Sequence, residues 1–178
     1  MLKNILTYGT IAGLIVGVPL TVFTLTIDGD QMMRWGMIVG YASMLLAFTT
    51  IFVAIKRRRD NEGGGVIRFW PAFGLGLGIA FVAGIFYVLA WEIGSRLSGG
   101  DFAATYANAM IAQQKAAGVS GEALARYAAE MADFRRSYAN PLFRLPMTFI
   151  EIFPVGVLVS LVAAALLRNS RFLPSRDR

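Results

Sequence analysis

The chain has 178 residues, of which 56% are hydrophobic and 16% charged, and its formal net charge is +6. Soluble globular chains are about 45–50% apolar and about 25% charged, so a water-soluble fold would expose too much apolar surface. Cysteine and histidine are absent, which excludes disulfides, Cys-His and Ser-His-Asp nucleophiles, axial-histidine haem and most zinc sites. The composition therefore favours an integral membrane protein, and we expect no metal and no cofactor.

Four apolar segments are each long enough to cross a hydrocarbon core, which takes about 20 residues. They cover about residues 5–26, 35–55, 69–93 and 147–167. Core helices of soluble proteins average about three turns and have a polar face, whereas these segments are longer and apolar on all sides. The sequence thus predicts an all-α integral membrane protein with four transmembrane helices in a single domain, residues 1–178.

Small residues recur four apart in every predicted span. They are Gly9, Gly13 and Gly17 in the first, Gly36 and Gly40 in the second, Gly74 and Gly78 in the third, and Gly156 and Ser160 in the fourth. This spacing lets helix backbones approach closely in lipid. It predicts tight packing within one bundle or, alternatively, a homo-oligomer interface, for which the first span is the best candidate. Pro19 and Pro154 are expected to bend the first and fourth spans, because each frees a carbonyl one turn earlier.

Basic residues are concentrated on one side of the predicted membrane. Ten of the 17 flank the spans on the side that holds both termini: Lys3, Lys56, Arg57, Arg58, Arg59, Arg68, Arg168, Arg171, Arg176 and Arg178. The positive-inside rule makes this the cytoplasmic side. The run from Lys56 to Arg59, with Arg68 and Trp70, is a candidate contact for an anionic lipid headgroup, although plain interfacial anchoring is the simpler interpretation. We expect no nucleic-acid binding, because no aromatic platform accompanies the basic run.

The polar, alanine-rich segment 97–145 predicts an extracytoplasmic hairpin of two amphipathic helices. Asp101 and Ser120 are candidate N-caps, Gly118 ends the first helix, and Pro141 ends the second. The apolar positions follow helical spacing, with Phe102, Tyr106 and Met110 in the first helix and Leu124, Tyr127, Met131, Phe134 and Tyr138 in the second. This apolar face needs a partner, which is the hairpin itself, the outer membrane surface or another subunit.

Two carboxylates lie at the outer ends of the spans. Glu151 is about one turn inside the fourth span and Glu92 closes the third. An intramembrane carboxylate costs several kcal/mol unless it is paired or protonated. We expect Glu151 to face the bundle interior beside a partner from another segment. The candidate partners are Arg144 as first choice, then Arg34 and Arg96, with Tyr87 as a hydroxyl donor. Glu92 is expected to pair with Arg96 one turn on. The alternative interpretation is an ion, proton or ligand site.

The stretch 148–164, TFIEIFPVGVLVSLVAA, resembles the final span of the bacterial domain-of-unknown-function family 4199. Other matching pieces are Tyr8-Gly-Thr-Ile-Ala-Gly, Gly40-Tyr-Ala-Ser-Met, the Lys56 to Asp60 run followed by glycines, and Tyr87 with Trp91-Glu92. The resemblance covers almost the whole chain. It implies a small multi-span bacterial membrane protein without an established biochemical role.

Two hypotheses for function follow. The leading one is a non-enzymatic inner-membrane protein, an accessory or membrane-organising subunit that works through its outer hairpin and small-residue faces. Its partners would be the lipid bilayer and a second copy or another membrane protein. The alternative is a small oligomeric transporter or an ion or proton pathway that uses Glu151 and Glu92.

Overall fold

A computed structural model describes the backbone of residues 1–26 and 29–174 and the side chains of residues 1–26 and 34–174. This part of the chain is all-helical and contains no strand. Its six helices are α1 (Leu2–Thr26), α2 (Gly29–Glu62), α3 (Phe69–Leu97), α4 (Phe102–Ala116), α5 (Gly121–Tyr138) and α6 (Pro141–Leu167). Four of them, α1, α2 from Arg34, α3 and α6, are long and apolar enough to cross a membrane. The prediction of four apolar spans is confirmed. Arg176 and Arg178, used in the orientation argument, lie outside the described residues.

All four spanning helices are longer than their apolar runs, and α2 and α6 extend furthest beyond them. The last turns of α2 are polar and carry an ion pair between Lys56 and Asp60, whose Nζ and Oδ2 atoms are 2.5 Å apart. Helix α6 begins at Pro141, because the Asn140 side chain caps it by accepting a hydrogen bond of 3.0 Å from the Leu142 amide. Residues 141–145, predicted as part of the hairpin, therefore belong to the fourth span.

Both prolines of interest lie inside continuous helices. Helix α1 runs through Pro19, and α6 runs through Pro146 and Pro154. A bend at Pro19 or Pro154 stays a prediction.

The glycine face of α1 packs against α3 within the same chain. A Cβ atom placed at Gly13 would lie 2.5 Å from the Cβ atom of Phe86. The register is set by Gly9 against Val82, Gly13 against Phe86 and Gly17 against Ala90. Residue numbers rise together in these pairs, so the two helices run parallel. Because this face is occupied by α3, it is not the homo-oligomer interface considered above.

The other small residues of α3 and α6 also serve packing inside the bundle. Gly74 and Gly78 face Met1 and Ile5 of α1. Helix α6 runs antiparallel to α3, with Ser160 against Gly76 and Gly156 against Ala80. Phe48 of α2 also contacts the Gly156 position. These contacts join α1, α2, α3 and α6 into one four-helix bundle.

The tightly packed core occupies the half of the bundle nearer the two chain termini. Its largest fully buried apolar side chains are Phe48, Met44, Ile51, Ile55, Leu75, Ile79, Ile152, Leu167 and Val16. The opposite half is packed less completely, and there the hairpin covers the bundle.

Helices α4 and α5 form the predicted hairpin, and its apolar face packs on itself and on α3. The Asp101 side chain caps α4, accepting a hydrogen bond of 2.9 Å from the Ala104 amide, and also binds Arg135 of α5. The Phe102 ring contacts the Trp91 ring edge-on, with centroids 4.8 Å apart. The packing of the hairpin on itself is thus seen, and contact with the outer membrane surface or another subunit stays a prediction.

Candidate functional site beneath the hairpin

A cavity of about 430 Å³ lies between the hairpin and the adjacent ends of the four long helices. Its volume falls within the roughly 300–1,000 Å³ of small-molecule sites. Eight of its lining residues are aromatic: Phe23, Tyr41, Tyr87, Trp91, Phe102, Tyr106, Phe134 and Tyr138. Glu151 is the one charged side chain among the described residues of the lining. The described lining of the cavity is thus largely aromatic and contains a single carboxylate.

Gly40 of α2 leaves open space at this cavity. Gly36 and Gly40 both line it, and a Cβ atom placed at Gly40 would meet no atom within 4 Å. Further along α2, Phe48 contacts the Gly156 position and closes the gap to α6. The helix contact expected at Gly40 is therefore not formed, because this end of α2 leaves an opening that its neighbours do not fill.

Glu151 is exposed and lines the cavity, and its expected ion pair with Arg144 is not formed. Its neighbour among the candidate partners is Tyr87, which lines the same cavity. Arg34 is exposed, and neither it nor Arg96 forms an ion pair with Glu151 among the described residues. Of the four candidate partners, the structure places only the tyrosine beside Glu151.

Arg144 binds the other carboxylate instead. Its Nε and Nη2 atoms donate hydrogen bonds of 2.5 and 2.8 Å to the two carboxylate oxygens of Glu92. Its Nη1 atom donates to the Tyr138 carbonyl at 3.1 Å. Arg96 approaches Glu92 at 3.4 Å, the pairing expected one turn on. The bidentate pair joins α3 to the start of α6, so Arg144 is committed and cannot also neutralise Glu151.

Glu92 is not among the residues that line the cavity. Of the two acids considered for an ion, proton or ligand site, Glu151 therefore lines this cavity and Glu92 does not. No group of three or more acidic, His or Cys side chains in the described part of the chain could hold a metal ion.

A hydrogen bond between Trp91 and Tyr138 fixes the hairpin above the cavity. The Trp91 Nε1 atom donates to the Tyr138 hydroxyl at 2.8 Å. Burial raises the pKa of the Tyr138 hydroxyl to about 12. The rings of Phe102 and Phe134 pack beside Tyr138. Sequence reasoning placed these aromatics on the hairpin face but missed the cavity. The one sequence feature that pointed to it is that the apolar positions of the hairpin nearest α3 are aromatic.

The basic run at the opposite end of the bundle is mostly used for internal contacts. Arg59 is fully buried and donates hydrogen bonds of 2.8 and 2.5 Å to the carbonyls of Phe172 and Leu173. It also pairs with Asp60 at 2.8 Å. Arg59 is thus unable to reach a lipid headgroup, because it holds the segment that follows α6.

The remaining members of the basic cluster have different environments. Lys56 pairs with Asp60, and Arg58 pairs with Glu62 at 3.3 Å. Arg57, Arg68 and Trp70 are exposed. A lipid contact by these three stays a prediction.

Comparison with known proteins identifies a family but no activity. The family model described as Protein of unknown function (DUF4199) matches residues 7–169, a range that contains the hairpin and most of each spanning helix. No curated protein and no solved structure matches the chain.

Proposed function

We propose a function on the premise that this chain belongs to the DUF4199 family of proteins of unknown function. It is a multi-pass membrane protein, and we infer that it is a non-enzymatic accessory subunit that binds an apolar ligand beneath its hairpin. The observation that carries this proposal is the cavity of about 430 Å³ with its eight aromatic lining residues. A glycosidase-type hydrolysis takes a pair of carboxylates, whereas the described lining of this cavity has one.

The ligand enters from the bilayer. Tyr41 of α2 and Met147 of α6 line the cavity and are themselves 48% and 44% exposed. We infer that they mark an opening between α2 and α6, whose exposed large side chains in the predicted spans are mostly apolar. A molecule dissolved in the hydrocarbon region would therefore reach the cavity without crossing water.

The orientation part of the proposal is a bacterial inner membrane with both termini in the cytoplasm and the hairpin outside. It is supported by the basic residues at the end of the bundle where α1 begins, α2 meets α3, and α6 ends. Alkaline phosphatase should be active when inserted at Gly118 and inactive when fused after Arg178. The reverse pattern would overturn this orientation.

The alternative, a transport pathway that uses Glu151, is less well supported by the packing. Met44, Phe48 and Ile152 are fully buried beyond the cavity, so it ends on a closed core. A pathway would need a route between copies or a rearranged bundle. We expect proteoliposomes to show no ion flux above empty vesicles. A flux that Glu151→Gln abolishes would establish the alternative.

The binding function is tested by filling the cavity. Gly40→Leu adds a side chain where the structure has open space, and Ala42→Leu introduces a leucine at an exposed position outside the lining. The neutral fluorophore N-phenyl-1-naphthylamine should bind the wild type and Ala42→Leu in nanodiscs and should lose binding in Gly40→Leu. Equal fluorescence enhancement in all three proteins, after subtraction of empty nanodiscs, would contradict the proposal.

A further inference from the structure

Glu151 is a carboxylate without a cationic partner among the described residues. The arginine nearest in sequence, Arg144, uses Nε and Nη2 on Glu92 and Nη1 on the Tyr138 carbonyl. Arg96 is 76% exposed and turns to Glu92 as well. The neighbour that remains to Glu151 is the neutral Tyr87 hydroxyl. A carboxylate at this depth is costly unless it is paired or protonated, and a cationic ligand would supply the missing pair.

The walls of the cavity suit a particular kind of cation. Aromatic faces attract cations through their ring quadrupole, most strongly where water is excluded. Tyr41, Tyr87, Trp91, Tyr106 and Tyr138 all contribute to the lining. An inorganic ion such as Ca²⁺ or Mg²⁺ takes about six or more oxygen ligands, which one carboxylate among rings does not supply. An organic cation has a weaker hydration shell and carries its own apolar surface.

We propose that the cavity binds an organic ammonium compound with an apolar body, with Glu151 as the counter-ion and the aromatic side chains as the enclosing walls. This inference deepens the proposed function and rests on it. In this proposal, Glu151 selects ligands by their charge. The hairpin, held by the hydrogen bond between Trp91 and Tyr138, covers the bound ligand.

The test compares two molecules that differ only in one atom. Benzyltrimethylammonium carries a positive nitrogen where neopentylbenzene carries a neutral carbon. Each is titrated against N-phenyl-1-naphthylamine bound to the full chain in phosphatidylcholine nanodiscs, a lipid without net charge. For the cation, Glu151→Gln should raise the displacing concentration at least tenfold. For neopentylbenzene, the same change should leave that concentration unchanged.

Two further variants serve as controls. Glu151→Asp keeps the charge and should retain most of the preference for the cation. Glu130→Gln makes the same chemical change at an exposed position of α5 outside the lining and should behave as wild type. Bound fluorophore in Glu151→Gln reports that the bundle is folded, since the fluorophore is neutral.

The measurements distinguish failure of the cation site from failure of the apolar binding site. In one outcome, benzyltrimethylammonium displaces the fluorophore equally well from wild type and Glu151→Gln, while Gly40→Leu still fails to bind the fluorophore. That result would overturn the cation site and leave the apolar site supported. Fluorophore binding that Gly40→Leu does not reduce would overturn both.

Discussion

Two glycines with the same sequence spacing occupy opposite environments, and alanine at each should have opposite effects on stability. Gly13 and Gly40 both belong to pairs of small residues four apart. A Cβ atom at Gly13 would lie 2.5 Å from Cβ and 2.6 Å from Cγ of Phe86, whereas one at Gly40 would meet nothing within 4 Å. The Cβ atom of Phe86 is fixed by its backbone, so no side-chain rotation relieves the first contact.

The magnitudes follow from two competing effects. In either helix, alanine gains about 0.8–1.0 kcal/mol over glycine in helix propensity. Gly40→Ala incurs no clash and should stabilise the protein by about that amount. Gly13→Ala also has to separate α1 from α3, and overpacking costs about 1–3 kcal/mol. Because the clash is with a fixed atom, we expect the upper part of that range. Gly13→Ala should be about 2–3 kcal/mol less stable than Gly40→Ala.

Reversible unfolding in mixed micelles, followed by circular dichroism, measures this difference directly. The two variants are matched in chemistry, so detergent effects on alanine or glycine cancel between them. Equal stability of Gly13→Ala and Gly40→Ala would refute the close packing of α1 on α3, the open space beside α2, or both.

Three further predictions concern the ionic contacts. Glu92→Gln should destabilise the protein by about 3 kcal/mol, the lower end for broken buried pairs, because it leaves Arg144 without its partner. Adding Arg144→Met should recover part of that loss in a double-mutant cycle. If the destabilisations of the two single variants simply add in the double variant, the pair does not stabilise the protein. Arg59→Met should speed limited proteolysis after α6, because Arg59 holds the carbonyls of residues 172 and 173; unchanged cleavage would contradict this role. The Ala104 amide, and then Arg135, hold the pKa of Asp101 below its ordinary value. Its stabilisation of the hairpin should thus be complete above about pH 4, the usual aspartate pKa, and be lost as the pH falls through the lower folded pKa. The protection of amides in the first turn of α4, taken relative to the intrinsic exchange rate at each pH, should fall over that acid range in wild type. A similar fall in Asp101→Asn would show that another group is responsible.

The sequence by itself determined the spans and the breaks between helices. Apolar length sets the spans, and hydropathy depends on each residue and its near neighbours along the chain. Caps are equally local: Asp101 and Asn140 each accept a hydrogen bond from an amide two or three residues on. Gly118 has a φ of +88°, which an L side chain rarely adopts. These features need no information from distant segments.

Only the tertiary structure decided which side chains meet. The sequence predicts that Arg144 and Glu151 lie near the same outer boundary, which made them candidate partners, yet Arg144 binds Glu92 on α3. That choice depends on the register between α3 and α6, which is set more than about four turns away by Gly76 against Ser160. Likewise, equal spacing could not tell Gly13 from Gly40, because a helix period identifies a face but not what lies opposite it. The cavity and its single carboxylate arise from the rotation and offset of helices that are distant in sequence, and local patterns do not encode these quantities.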